Sequence, residues 1–370
     1  DRIIMMKEQL FQQFSIKNVR FKNRFVMAPM TRNFSQNGVP HLDAAEYYSM
    51  RARGGVGLII TEGVEISHPS SSGYSGCPNL ISDESKRAWE KVITSVHKED
   101  TKIFCQLWHV GGIRKPGMYP DPNVPGFTPS GIVKKGKKVA HEMSLDEIEE
   151  MIEVYANDAK ICEDLGFDGI EIHGAHGYLV DQFFWEVTNQ RTDNYGGSLE
   201  KRINFAKDII SSSKKSTSEN FIVGIRFSQW KQQDYGAKIA NNIDELDKFI
   251  SELSKSDPDF FHTSMRRFWE PEFESSNLNL SACVKQLSKL PVIAVGSVGL
   301  DKDFIKLYQG DHEAKIGDFD KLFNTFENDS FDMIAIGRAL LSDPNLIEKL
   351  ENSNFKDMVP FDKRYVEKYV

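Results

Sequence analysis

The chain has 370 residues, 40% hydrophobic and 27% charged, and its 46 basic against 54 acidic residues give a formal charge of −8. Those values are ordinary for a folded globular protein, and the acidic balance argues against nucleic acid as the main partner. No apolar run is long enough to span a bilayer, and Cys77, Cys105, Cys162 and Cys283 contain no CxxC pair, which disfavours a disulfide framework or an iron–sulfur site.

Reduced thiols and a cytoplasmic setting are therefore expected, with no membrane partner. The first six residues are too short for a signal peptide, and Met5 or Met6 reads as the natural start. Along the chain, short β-rich apolar runs recur at 24–30, 56–61, 102–108, 168–173, 221–227, 259–263, 291–295 and 332–336. They are nearly continuous rather than alternating, as strands of a parallel sheet covered on both faces should be. Eight strand–helix units at roughly even spacing predict one α/β domain over 1–370, a closed (β/α)8 barrel, with an open doubly wound sheet as the competing arrangement. Ser144 and Glu147 form a capping-box pattern ahead of Ile148, Ile152, Tyr155 and Ala159 at helical spacing, and Gly166 closes that helix. The stretches 111–141, with Lys134, Lys135, Lys137 and Lys138, and 265–276, with Phe268 and Trp269, read as long functional loops.

Barrels of this kind carry their chemistry where strands end, so the residues just after each run matter most. The first run ends in Ala28-Pro29-Met30-Thr31, which puts a hydroxyl at the mouth or, alternatively, an N-cap Thr in a turn. The second ends in Thr61-Glu62-Gly63, where Gly63 permits close approach of a flat ligand. In the third, alternation puts Gln106 and Trp108 on one side, and Gln106 can donate and accept at once, as the edge of a flavin pyrimidine requires. The fourth is the strongest signal, because His173, His176 and Tyr178 fall within six positions of a strand end. Two neutral imidazoles aimed at one oxygen would stabilise developing negative charge, and a phenol can supply a proton. A zinc pair and a purely structural role are the alternatives; the first needs a third ligand, and no Cys or His lies at suitable spacing. Arg226 at the end of the fifth run would favour an anionic ring. Gly296 and Ser297 after the seventh run, with Gly337 and Arg338 after the eighth, form a phosphate-binding pattern.

These residues, in this order, resemble the Old Yellow Enzyme family of FMN-dependent ene-reductases. The likeness runs from about Leu10 to about Leu346, and the run Gln190-Arg191-Thr192-Asp193-Asn194-Tyr195-Gly196-Gly197-Ser198, followed by Lys201-Arg202, is especially characteristic. The resemblance implies non-covalent FMN at the barrel mouth, reduced by NADPH or NADH, and a small electrophilic alkene, quinone or nitro compound as substrate, in a monomer or homodimer. It implies that Ala28, Pro29, Met30, Thr31, Gly63, Gln106 and Arg226 meet the ring system, with His173 beside it, and that Gly296, Ser297, Gly337 and Arg338 hold the phosphate. His173 and His176 would grip the substrate's electron-withdrawing group, Tyr178 would donate the proton, and Tyr74 would stand near the substrate. No metal is implied. A 2,4-dienoyl-CoA reductase or amine dehydrogenase is the alternative enzyme, although those relatives carry a cysteine cluster after the barrel and further domains. A flavin-binding protein without turnover is the alternative of a different class.

Overall fold

The computed structural model describes residues 2–296, 322, 324–327, 329–359 and 361–369. Eight parallel strands close on themselves in sequence order: β1 (Phe25–Met27), β2 (Leu58–Glu65), β3 (Lys102–Trp108), β4 (Gly169–His176), β5 (Ile222–Lys231), β6 (Phe261–Ser264), β7 (Val292–Val295) and β8 (Met333–Ile336). Closure is made by β8 on β1, with Ile334, Ala335 and Ile336 opposite Phe25, Val26 and Met27. All eight expected runs are strands, and the closed barrel replaces the open-sheet alternative.

The continuous apolar runs divide by alternation into two layers. Val26, Ala28, Leu58, Ile60, Phe104, Ile222 and Ile293 fill the barrel interior, while Phe25, Met27, Ile59, Ile103 and Val223 face the helices. A small antiparallel ribbon, Phe14–Ile16 with Val19–Phe21, carries Ile16 and Phe21 into the same interior cluster; the Phe21 and Phe104 rings meet at 6.0 Å. Among the described residues, the longer helices between strands are α1 (Ala44–Arg53), α2 (Asp83–His97), α3 (Leu145–Leu165), α4 (Leu199–Ser216), α5 (Ile243–Ser254) and α6 (Leu280–Ser288). Five of them, α2 to α6, start at a Ser or Asn whose side chain accepts a backbone N–H of the first turn. In α3 both halves of the capping box form between Ser144 and Glu147, and Gly166 closes it in the left-handed conformation at φ 107°.

Three strands run further than the apolar pattern predicts, and they do so through two irregularities. In β2, Thr61 and Glu62 stand where β3 has only Cys105, so the strand bulges before Gly63 pairs with Gln106. In β4 and β5 the register shifts between Gly174 and His176, which carries the strands on to His176 and Lys231. Both departures lie at the end where the strands stop, and both re-aim side chains there. The stretch 111–141 holds a short 3-10 turn and two small ribbons, one of them the hairpin Ile132–Lys134 with Lys137–Lys138; the stretch 265–276 has no regular structure. Among the described residues no helix is long and apolar enough to cross a membrane.

Candidate active site

Above the apolar plug, the barrel interior turns polar. Gln106 on β3 donates from Nε2 to Glu171 Oε2 on β4 at 2.9 Å, and Glu171 Oε1 lies 2.5 Å from His262 Nδ1 on β6. Glu171 and His262 are fully buried, so the carboxylate is satisfied by its neighbours rather than by water. Arg226, on β5 opposite both His173 and His262, faces this belt. Burial pushes its guanidinium down from its ordinary value, and the Glu171 charge opposes that shift. Its Nε is buried and has no partner among the described residues. A desolvated cation with an unspent N–H is an invitation to an electron-rich ligand, since a buried unpaired donor costs about 1–3 kcal/mol.

At the mouth, the three groups of the fourth run converge. The ring centres of His173 and His176 are 5.3 Å apart, and those of His173 and Tyr178 are 5.0 Å apart. Burial, then the Arg226 charge, holds both imidazoles well below their ordinary value, so both are neutral near pH 7. His173 Nδ1 accepts the Ala175 N–H at 3.3 Å, which leaves the ring proton on Nε2. His176 has a left-handed backbone (φ 62°), stacks on Trp230 at 4.4 Å and has its Nε2 2.7 Å from Ser264 Oγ. The Tyr178 hydroxyl is 3.2 Å from that of Tyr74, and burial, then Tyr74, pushes it up, so it keeps its proton. Trp108 is the common floor: it lies near-parallel to His173 at 5.8 Å and to Tyr74 at 5.6 Å, and meets Tyr178 edge-on at 5.0 Å.

The turn that presents these groups is held from below. Asp181 Oδ2 accepts the Gly177 N–H at 2.8 Å, and its Oδ1 takes Lys231 Nζ at 2.7 Å in a fully buried ion pair. Burial pushes the Asp181 carboxyl up to about 6 against the pull of Lys231. Such a pair contributes little net stability, but removing one partner would leave an uncompensated charge and the turn unfixed.

The remaining expected residues are placed as follows. Ala28 is buried at the end of β1, Pro29 and Met30 are half-buried and Thr31 is exposed, in order out of the barrel. Gly63 is demanded by the protein itself: a β-carbon there would lie 2.4 Å from Trp108 Cε3, so the close approach in the structure is that of the indole. Gly296 likewise has no room, with Met265 O at 2.7 Å from a β-carbon, whereas Gly337 has nothing nearer than Met30 Sδ at 3.7 Å. Arg338 is exposed and begins the short helix Ala339–Ser342; Ser297 lies outside the described residues. The characteristic 190–198 run is a structural clamp, in which Arg191 donates to Pro129 O and pairs with Asp193 while Tyr195 donates to Asp208.

Several contributors escape a motif search. Glu171 and His262 follow from alternation alone, two positions before His173 and across the barrel. Ser264, Trp230 and the Asp181–Lys231 pair carry no local signal. Neither does the C-terminal segment, where Arg32 donates to Tyr365 O at 3.1 Å and to Lys368 O, and Tyr369 stacks on Tyr47 at 4.7 Å. Among the described residues no group of three or more His, Cys, Asp or Glu side chains is arranged to hold a metal ion.

Comparison with known proteins bears on what such a mouth does. Residues 9–357 match the NADH:flavin oxidoreductase / NADH oxidase family. The chain is 31% identical over 351 residues to an NADH oxidase of Thermoanaerobacter brockii, covering 92% of this chain and 50% of that protein, so it spans about half of that relative. It is 32% identical to the flavin oxidoreductase hxnT of Emericella nidulans, covering 97% of both, and 32% identical to 12-oxophytodienoate reductase 1 of Oryza sativa subsp. japonica, covering 92% and 86%. The Old Yellow Enzyme from Pichia sp. AKU4542 superposes with a TM-score of 0.79 at 27% identity over 97% of this chain and 90% of that one.

Proposed function

The chain belongs to the NADH:flavin oxidoreductase / NADH oxidase family, and from that premise we propose that this oxidoreductase uses NAD(P)H to reduce the C=C bond of α,β-unsaturated carbonyl or nitro compounds, with quinones and nitro groups as further acceptors. The observation that carries the reading is the convergence of two neutral imidazoles and a protonated phenol beside the unspent N–H of Arg226. FMN, when bound, supplies the hydride exchange between nicotinamide and acceptor. Arg226 would lie against the electron-rich side of its ring, and Gln106, whose Nε2 is held by Glu171, would offer its remaining groups to the pyrimidine edge. Pro29, Met30 and Thr31 would border the ring, and Gly296, Gly337 and Arg338 would hold the phosphate, as the family resemblance implies for these positions.

His173 donates from Nε2 to the oxygen of the acceptor's electron-withdrawing group, and His176 joins it. Together they drain density from the double bond and stabilise the charge that develops on oxygen. Tyr178 then protonates the α carbon, and Tyr74 is placed to share the proton's hydrogen bond. Reductant and acceptor use the same mouth in turn, which gives ping-pong kinetics.

The test is stopped-flow on each half-reaction with Tyr178→Phe. Reduction by NAD(P)H should be nearly unchanged, alkene reduction strongly slowed and quinone reduction spared, because quinone oxygens take protons from water. Enone reduction at the wild-type rate would mean that another acid supplies the proton, and an equal collapse with quinones would make Tyr178 a positioning group. Denatured protein should release FMN; FAD in its place would overturn the cofactor's fit.

A further inference from the structure

The last residue of β6, Ser264, is 4% exposed and its hydroxyl stands between two groups of the site. Arg226 Nη2 donates to Ser264 Oγ at 3.4 Å, and His176 Nε2 lies 2.7 Å from the same oxygen. A guanidinium has donors and no acceptor, so its contact fills a lone pair of the hydroxyl and turns the O–H away. Among the described residues, the ring nitrogen of His176 is the acceptor within reach of that O–H. A neutral imidazole that accepts at Nε2 carries its proton at Nδ1. We infer that Ser264 fixes His176 as the Nδ1–H tautomer, so that the second histidine of the site meets a ligand as a donor.

The ring has little freedom to evade this arrangement. Trp230 stacks on it and donates from Nε1 to the Ser264 carbonyl at 3.1 Å, so the same indole grips both partners. The His176 backbone N–H is tied to Ser228 Oγ at 2.9 Å. His173 is set in the opposite sense, since its Nδ1 accepts from Ala175 and its proton is on Nε2. Each histidine thus has one nitrogen committed to the protein and the other left with a proton to offer. Two donors on one oxygen polarise it; a donor and an acceptor side by side would not. Ser264 is a positioning residue that acts through His176, and its role rests on the proposed use of His176 as a ligand donor.

The test uses oxidised holoenzyme labelled with 15N-histidine, with the His176 signals assigned by their loss in His176→Ala. Two-bond proton–nitrogen correlations should report His176 protonated at Nδ1 and His173 at Nε2. Ser264→Ala should release His176 to Nε2–H or a mixture and lower enone turnover by roughly 3- to 10-fold, the scale of one hydrogen bond. Ser264→Thr should restore both. A wild-type His176 protonated at Nε2 would overturn the inference whether or not any variant folds, as would an unchanged tautomer in Ser264→Ala. If His176→Ala keeps full enone turnover while the wild-type tautomer is Nδ1–H, the ligand role of His176 fails and the tautomer assignment stands.

Discussion

Arg226 shows how a single side chain is held in a costly state. It is 7% exposed, opposed by one buried carboxylate, and keeps Nε unspent. Arg226→Met should lower FMN affinity and make the flavin harder to reduce, because a fixed cation favours the anionic reduced ring; flavin titration and redox titration measure both, and no change in either would remove Arg226 from the ring's edge. Glu62, in the β2 bulge, makes a different demand. Burial pushes its carboxyl up to about 8, and its Oε1 has no partner among the described residues. The folded state therefore keeps a proton that the unfolded chain has already released above about pH 4.3. Its contribution is whole below that pH and is lost as pH rises toward 8. Thermal melts should show wild type losing ground to Glu62→Gln between pH 5 and pH 9; a constant difference would mean that Glu62 is ionised throughout. Individual residues were unequally legible in the sequence. His173, His176 and Tyr178 declared themselves because three proton-bearing groups crowd one strand end. Ser264 and Lys231 did not, because a serine or lysine at a strand end is commonplace and their partners lie 88 and 50 positions away.

Among the elements, the eight strands were readable from unbroken apolar runs, and α3 from its Ser144–Glu147 box. Their true ends were not, since a bulge or register shift lets polar residues continue a strand where the apolar pattern stops. The ribbon of Phe14–Ile16 and Val19–Phe21 has only three residues per strand, too few for a period to show. The hairpin Ile132–Lys134/Lys137–Lys138 was legible only as a basic loop. Its four lysines are exposed, and its Val133 carbonyl accepts from Gln233 at 3.5 Å, the same amide that donates to Gly177 O at 2.8 Å. The basic tip is thereby anchored beside the Tyr178 turn. Replacing Lys134, Lys135, Lys137 and Lys138 with Ser should raise the KM for NADPH at low salt more than that for NADH, with the gap closing as salt is added. Equal changes for both reductants would make the tip an ordinary solvated face.

The whole molecule is an apolar plug beneath a polar belt, wrapped by a second apolar layer under the helices. Gln106, Glu171, His173, Arg226 and His262 project from the strands themselves, so their spacing is inherited from the barrel's hydrogen bonds rather than from loop conformations. This is why residues from β3 to β6, far apart in sequence, share one hydrogen-bonded belt. The architecture also puts a clock on the molecule's birth. β1 receives its second neighbour only when β8 arrives, and their partners Phe25 and Ile334 are 309 residues apart (334 − 25). At about 5–20 residues per second of synthesis, the first strand waits on the order of 15–60 seconds with one edge unpaired. Until then the nascent sheet is open, its apolar interior and its unsatisfied edge exposed together, which is the condition under which chains aggregate. A ribosome that stalls before residue 336 would leave a sheet with nothing to close it, so the yield of active enzyme depends on how quickly, and in what company, the final strand leaves the exit tunnel.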